Sequence, residues 1–349
     1  MIKSKQSLQT YIILLNWNNY QDTLECLESL FKQDYKEFKI ILCDNDSTDG
    51  SVEHFINWAE GKELSITPKN LFLQSLVKPA IKKPISYCVF NREQAETKTT
   101  DIETGANLII IKTGGNLGFA GGNNVGFRYA LKRNDFDYVW LLNNDTVVEN
   151  DCLSKMVKYS QSQSLDNLCG SLLVFYDNPE SIQAPGGYQY NKWTGRASPI
   201  LKRGTSIHEK INHSQLEKKL SYICAASWLL PKQFLLDIGL MTEDYFLYGE
   251  EIDWCLRNNG KYKLCYCPHA IVYHKEGATI GSENLNRESS LFSDFYQFRN
   301  KLLVTRRFFP KNISLVYITV FLQMSNRLRK GQWKKAKLIC QILLGKNAF

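Results

Sequence analysis

Phe38-Lys39-Ile40-Ile41-Leu42-Cys43-Asp44-Asn45-Asp46-Ser47-Thr48-Asp49-Gly50 is the stretch that decides the fold. Phe38–Cys43 is apolar at nearly every position, which is the pattern of a strand buried on both faces. Asp44–Gly50 is a polar turn able to cap a following helix. Upstream, Tyr11–Leu15 is a second apolar run, followed by a helical stripe of Leu24, Leu27, Leu30 and Phe31. Downstream, Leu108–Ile111 leads into a glycine-rich turn, Gly114–Asn124, and a helix to about Lys132. Tyr138–Leu142 is the next buried strand and ends in Asn143-Asn144-Asp145. Alternating strands and helices imply an α/β fold with a mostly parallel sheet flanked by helices. Polar motifs after three strands then share the carboxyl edge, where such sheets hold ligands.

Working outward, residues 61–106 break the alternation with Pro68, Pro79, Pro84 and the polar run Asn91–Thr104. They read as an insertion at a loop, partly ordered by Ile81–Phe90. In the second half, Leu168–Phe175 reads as a strand, and residues 176–220 are rich in loops. Tyr222–Leu230 is an apolar segment, and Pro231 suits the first turn of a helix. Glu250–Asn258 reads as a short helix ended by Gly260, and Tyr262–Cys267 and Ala270–His274 as strands.

The charge is unevenly spread. The chain of 349 residues carries 43 basic and 35 acidic residues, a net of +8. Residues 295–349 hold twelve Lys or Arg and no acid, which leaves a net of −4 on the rest. An acidic body with a basic tail does not look like a generally nucleic-acid-binding protein, and the DNA and RNA module signatures are absent. Ordinary composition, with 44% hydrophobic residues, excludes wholesale disorder. The ten cysteines lack a zinc spacing and read as reduced, which suggests the cytosol. No signal peptide or membrane span is visible.

Four motifs occur in order: Asp44-Asn45-x-Ser47-x-Asp49-Gly50, Asn116-x-Gly118-Phe119-Ala120-x-Gly122-Asn123, Leu142-Asn143-Asn144-Asp145, and Gly249-Glu250-Glu251-Ile252-Asp253-Trp254-Cys255-Leu256-Arg257. Together they resemble the family 2 glycosyltransferases of the GT-A (Rossmann-like) fold, in particular the bacterial rhamnosyltransferase-like branch. The resemblance covers roughly residues 10–300. It implies a catalytic domain over residues 1–294, with the 61–106 insertion, and a basic amphipathic helical tail over 295–349.

The resemblance implies that Asp44 reads the base of a nucleoside diphosphate sugar, where it would accept from a uracil or thymine imide. A carboxylate stabilised at a helix N-terminus is the plainer alternative. Asn16 and Trp17 would line the same pocket, with Asn45, Asn116, Gly118, Phe119, Gly122, Asn123, Asn143 and Asn144; Asn18 is a weaker candidate. The glycines run G-x-x-G-x-x-G from Gly115, which is not the dinucleotide fingerprint. Asp145 would hold Mg²⁺ or Mn²⁺, since these cations take oxygen ligands and need few carboxylates. His274 is a second ligand candidate or a structural histidine; the other four histidines receive no role. Glu251 takes the position of the general base that accepts the acceptor hydroxyl's proton. Glu250 and Asp253 are fallbacks, and Asp253 also suits a helix salt bridge to Arg257. Trp193 and Trp228 are candidates for stacking on a sugar, against the more frequent fate of core packing.

The reaction implied is inverting transfer of a sugar, rhamnose favoured, from a dTDP- or UDP-sugar to a glycan acceptor in cell-surface polysaccharide synthesis. The acceptor is expected on a membrane lipid. In the tail, Ile313, Val316, Tyr317, Val320, Phe321 and Met324 fall at helical spacing, as do Trp333, Ala336, Cys340 and Leu343. An apolar face among lysines and arginines describes a helix lying on a membrane surface. The expected location is therefore cytoplasmic, peripheral on the inner face of the cytoplasmic membrane. Two other readings are a sugar nucleotidyltransferase, which would need a basic glycine-rich loop where Asn16-Trp17-Asn18-Asn19 stands, and a non-catalytic nucleotide-binding scaffold docked on a membrane.

Overall fold

The apolar runs become the central sheet. A computed structural model of the chain describes residues 8–62, 66–97, 105–163, 167–275 and 289–346. The strands are β1 (Thr10–Asn16), β2 (Phe38–Asp44), β3 (Tyr87–Asn91), β4 (Leu108–Lys112), β5 (Tyr138–Asn143), β6 (Thr146–Val148) and β7 (Asn167–Phe175). They continue with β8 (Asn178–Pro185), β9 (Gly187–Asn191), β10 (Arg196–Ser198), β11 (Tyr222–Ile223), β12 (Ser227–Pro231) and β13 (Lys263–His274). The main sheet runs β3-β4-β2-β1-β5-β12-β7-β13-β6, with β8 paired to β7. β3, β4, β2, β1 and β5 are mutually parallel. β12 lies antiparallel to both β5 and β7.

The helices are α1 (Tyr20–Leu30), α2 (Ser51–Glu60), α3 (Gln74–Val77), α4 (Arg92–Thr97), α5 (Gly118–Arg133) and α6 (Cys152–Gln163). They continue with α7 (His213–Glu217), α8 (Lys232–Ile238), α9 (Glu250–Asn258), α10 (Leu291–Phe308), α11 (Ile313–Arg329) and α12 (Trp333–Leu343). Ile12, Leu14, Ile40, Leu42 and Trp140 pack into a core with Leu24, Leu27 and Phe55 of α1 and α2. Their strand neighbours Tyr11, Ile13, Ile41, Cys43 and Val139 pack into a second core with Phe127 of α5, Phe234 of α8 and Trp254 of α9. Each strand is covered on both faces, so its residues are apolar without alternation.

The structure refines several expectations. The glycine-rich turn is shorter than expected, because α5 starts at Gly118 and takes Gly118–Asn124 into its first two turns. Glycine weakens helix propensity and so hides this start. Its use here is close approach: a Cβ on Gly122 would lie 2.4 Å from Leu15 Cδ1 on β1. Tyr222–Leu230 divides into β11 and β12, and Pro231 is the N-cap of α8 rather than a residue of its first turn. The two strands expected over 262–274 are one, β13, with a register break between Cys267 and Ile271 that accommodates Pro268. The 61–106 insertion adds β3 as a parallel edge strand at Tyr87–Asn91; within it, residues 63–65 and 98–104 lie outside the described set.

The division after residue 294 falls inside α10. The tail forms three helices with an apolar cluster of their own, Phe295, Phe298, Leu302, Val316, Val320, Leu338, Ile339 and Ile342. The stripe at Ile313, Val316, Tyr317, Val320 and Met324 therefore faces protein, whereas Phe321 is exposed. On α12 the buried face runs through Ala336, Ile339 and Ile342, with Trp333 and Cys340 outside. All ten cysteines are free thiols.

Candidate active site at the carboxyl edge of the sheet

β1, β2 and β5 are adjacent and parallel, so their ends meet, with Asn16 in register with Asp44 and Leu15 with Asn143. Asn16 is the hub. Its Nδ2 donates to Asp44 Oδ1 at 2.9 Å and to Ser47 Oγ at 3.0 Å. Its Oδ1 accepts from Thr23 Oγ1 at 2.8 Å and Asn144 Nδ2 at 3.2 Å. Asp44 also accepts from Ser47 N at Oδ2, 3.0 Å, and from Ser47 Oγ at Oδ1, 2.6 Å. A carboxylate offers about four lone-pair sites, so Oδ2 keeps one for a further donor. Trp17 stands exposed beside this group.

A second knot joins β2 to the start of α5. Asn45 Nδ2 donates to Asn116 Oδ1 at 2.9 Å, and Asn45 Oδ1 accepts from Leu117 N at 3.1 Å. Gly118 N donates to Asn116 Oδ1 at 3.1 Å, and Phe119 N to Phe246 O at 2.7 Å. Gly118 has φ +71°, and a Cβ there would sit 2.3 Å from Phe246 O. Asn123 Nδ2 donates to Phe119 O within α5. The backbone donors at residues 117–119 are thus occupied by protein groups, and Asn45, Asn116 and Asn123 shape the loop through internal bonds.

The third group lies at the turn from β5 to β6, beside the end of β13, where His274 pairs with Thr146. Asp145 Oδ1 is buried without a hydrogen-bond donor, and the nearest basic atom is His274 Nε2 at 3.2 Å. His274 Nδ1 lies 3.0 Å from Gln183 Oε1, and Asn143 Nδ2 lies 3.3 Å from His274 Nε2. In the tautomer with the proton on Nδ1, which Gln183 Oε1 accepts, Nε2 carries a lone pair on the side of Asn143 Nδ2 and Asp145 Oδ1. Two lone-pair-bearing atoms facing each other are suited to a shared cation. Adjacent ligands of an octahedral Mg²⁺ with bonds near 2.1 Å stand about 3.0 Å apart, close to the separation seen here. Among the described residues no cluster of three or more His, Cys, Asp or Glu could hold a metal. Asp145 and His274 would thus be a two-ligand platform, with other positions left to a diphosphate and water.

The acidic helix completes the edge. Glu251 is half-buried, and its Oε1 accepts from Ala225 N at 2.6 Å. Burial pushes its pKa up to about 7, against the Ala225 hydrogen bond, which lowers it. Glu250 is buried, with Oε2 unpaired, and burial plus the charge of Glu251 push it up to about 8. Asp253 is different. Its two oxygens are taken by Arg257 Nε at 2.6 Å, Arg307 at 2.8 Å, Thr242 Oγ1 at 2.8 Å and Tyr245 OH at 2.9 Å. Burial acts to raise its pKa, but Arg257 and Arg307 hold the carboxyl below the usual range. Asp253 is therefore a structural ion-pair centre. Trp228 is fully buried between Phe234 and Trp254 and presents no face to a sugar, whereas Trp193 is exposed.

Several contributors carry no motif. Gln183 on β8 orients His274, and Ser47 and Thr23 hold Asp44 and Asn16. The Lys275 side chain is enclosed, with Nζ 2.6 Å from Asp22 Oδ1 and 2.5 Å from Glu25 Oε2, while its backbone N–H donates to Asp145 O. Its alignment beside His274 was the one available signal.

Comparison with known proteins follows the same lines. Residues 11–83 and 92–237 match the family described as Glycosyl transferase family 2. The chain is 28% identical over 214 residues to the rhamnosyltransferase WbbL of Escherichia coli (strain K12), across 56% of this chain and 76% of that protein. It is 23% identical over 214 residues to the low-salt glycan biosynthesis hexosyltransferase Agl10 of Haloferax volcanii, across 61% of this chain and 65% of that protein. The alignment thus spans just under two thirds of the haloarchaeal relative. Among solved structures, GalNAc-T7 with UDP, GalNAc and Mn²⁺ superposes with a TM-score of 0.56 at 13% identity, over 92% of this chain and 52% of that one. The mannosyltransferase PcManGT from Pyrobaculum calidifontis, with GDP-Man and Mn²⁺, gives 0.51 at 10% identity, over 97% and 87%. These likenesses establish the GT-A fold.

Proposed function

The chain belongs to glycosyl transferase family 2, and from that premise we propose that it moves one sugar from a dTDP- or UDP-sugar to a glycan hydroxyl with inversion. Rhamnose is the favoured sugar, in keeping with the rhamnosyltransferase WbbL named above and RfbF of Shigella flexneri, a dTDP-rhamnosyl transferase. The carrying observation is that Glu251, a half-buried carboxylate held near neutrality, shares one edge with Asp145 and His274. Mg²⁺ or Mn²⁺, with Mn²⁺ present in two of the superposed structures, would neutralise charge on the departing diphosphate. Asp145 Oδ1 and His274 Nε2 would hold it. Asp44, fixed by Asn16 and Ser47, keeps an acceptor for the base imide. Glu251 takes the proton of the attacking hydroxyl, and its pKa near 7 suits a base at neutral pH.

The acceptor is a lipid-linked glycan and the tail lies on an anionic membrane in this reading. Of the α11 stripe expected from sequence, Phe321 alone belongs to the apolar face that fits. Leu315, Ile318, Phe321 and Leu322 are 47%, 56%, 54% and 62% exposed on the outer side of α11. Lys311, Arg327, Arg329 and Lys330 flank them along the chain. Among the described residues no helix is long and apolar enough to cross a membrane; the face fits attachment to a surface.

Thermal shift with UDP, dTDP and GDP, with and without Mn²⁺, tests the donor reading, followed by turnover of dTDP-rhamnose and UDP-sugars. A metal-dependent preference for dTDP or UDP is expected. A preference for GDP would contradict the role of Asp44, because guanine presents a different edge.

A further inference from the structure

The backbone just before the acidic pair is strained. Phe246 has φ +62° and ψ −49°, and Leu247 N donates to Tyr245 O at 2.7 Å. That is a three-residue γ-turn of the positive-φ kind, which is rare and costly for a residue with a side chain. Tyr248, at φ +64°, and Gly249, at φ +101°, continue it directly into Glu250. Five successive residues, Tyr245–Gly249, thus set where α9 begins and where Glu251 points.

One side chain holds this turn, and it comes from the tail. Asn300 on α10 is buried, and its two Nδ2 hydrogens are shared among the carbonyls of Tyr245 at 2.8 Å, Leu247 at 2.7 Å and Tyr248 at 2.8 Å. Arg299 fixes the amide's orientation by donating to Asn300 Oδ1 at 2.8 Å and to Asp244 O at 2.9 Å. From the other side, Phe246 O accepts from Phe119 N at the start of α5. The turn is therefore clamped between the donor-side helix and α10. Loss of the amide would leave buried carbonyls short of donors and release the turn.

We propose that Asn300 is a positioning residue for the transfer: it holds the Tyr245–Gly249 turn that aims Glu251 and ties it to the donor-side loop. The proposal rests on the glycosyltransferase reading for its turnover test, but not for its structural one.

The test uses the full chain with Asn300→Asp, which keeps the shape and the Arg299 contact but removes the donors, and Asn300→Ala. Leu302→Ala, in the apolar cluster of the same helix, is the control for general destabilisation. First, hydrogen exchange of the peptide over residues 245–253 is measured without ligand. At least tenfold faster exchange is expected in both Asn300 variants, and not in Leu302→Ala at equal loss of melting temperature. Unchanged exchange would overturn the proposal. Second, with dTDP-rhamnose and Mn²⁺, kcat should fall about 100-fold, as expected for a misplacement of order 1 Å, a larger loss than any rise in the donor KM. Equal loss of kcat in Leu302→Ala, or kcat within threefold of wild type in both Asn300 variants, would also overturn it. A wild-type protein that turns over no donor defeats the glycosyltransferase reading alone, and the exchange result then decides for Asn300.

Discussion

Glu251 and Asp253 stand two residues apart on one helix and live in opposite circumstances. Asp253 is enclosed by two arginines, a threonine and a tyrosine, and its charge is neutralised within the protein. Glu251 accepts a backbone bond from Ala225 and has no ion pair with Lys or Arg among the described residues, so burial raises its pKa toward neutrality. A carboxylate with four partners stabilises the fold. One with an incomplete shell is available to a substrate. Asp145, whose Oδ1 lacks a donor, belongs with Glu251.

The sharpest way to break this contrast is to neutralise both residues. Glu251→Gln should lower kcat by about 10²–10⁴-fold, the usual contribution of a general base, with melting temperature unchanged or raised. In wild type, kcat should rise with pH through about 7. Full activity in Glu251→Gln would remove it as the base. Asp253→Asn should do the reverse. Breaking a buried ion pair costs about 3–5 kcal/mol, read by denaturant melts, while kcat of the folded fraction falls less than for Glu251→Gln. Because the Asp253 pKa is depressed, its contribution is present above the unfolded value and is lost as pH falls through the acid range.

Glu250 sharpens the comparison further. Its pKa is raised, so the folded state prefers the protonated form. Stability from this group is present below the unfolded carboxyl value of 4.5 and is lost as pH rises toward about 8. Glu250→Gln should therefore flatten the decline in melting temperature between about pH 5 and 8. An unaltered slope would place the titration elsewhere. The smallest effect is expected in the tail. Phe321→Ser with Leu322→Ser should weaken sedimentation with phosphatidylglycerol vesicles by about tenfold and leave turnover of a soluble acceptor unchanged. Equal binding by the variant would discard this face.

Much of this was legible in the sequence, and the reason is physical. Strands buried on both faces write themselves as unbroken apolar runs, so β1, β2, β4 and β5 and the polar ends that follow could be placed. The start of α5 could not, since its glycines read as turn until the packing of Gly122 on Leu15 is seen. The face of α11 that meets protein was confused with the exposed one because both are apolar; only the contacts of Val316 and Val320 separate them. Gln183, Asn300 and Arg307 carried no signal at all. Each acts on a motif 50 or more residues away through bonds that only the folded chain creates.

The pairing of Asn143 and Asp145 with His274 has a consequence for synthesis. Asn143 and His274 are 131 residues apart, and β13 is the last strand of the sheet to be made. At translation rates of about 5–20 residues per second, roughly 7–26 s separate the two halves of the site. Asn16 and Asp44 leave the ribosome early, yet a growing chain lacks His274, the second cation ligand proposed above, until β13 docks beside β7 and β6. Such a nascent chain would have the donor pocket's first pieces and no means of spending the donor.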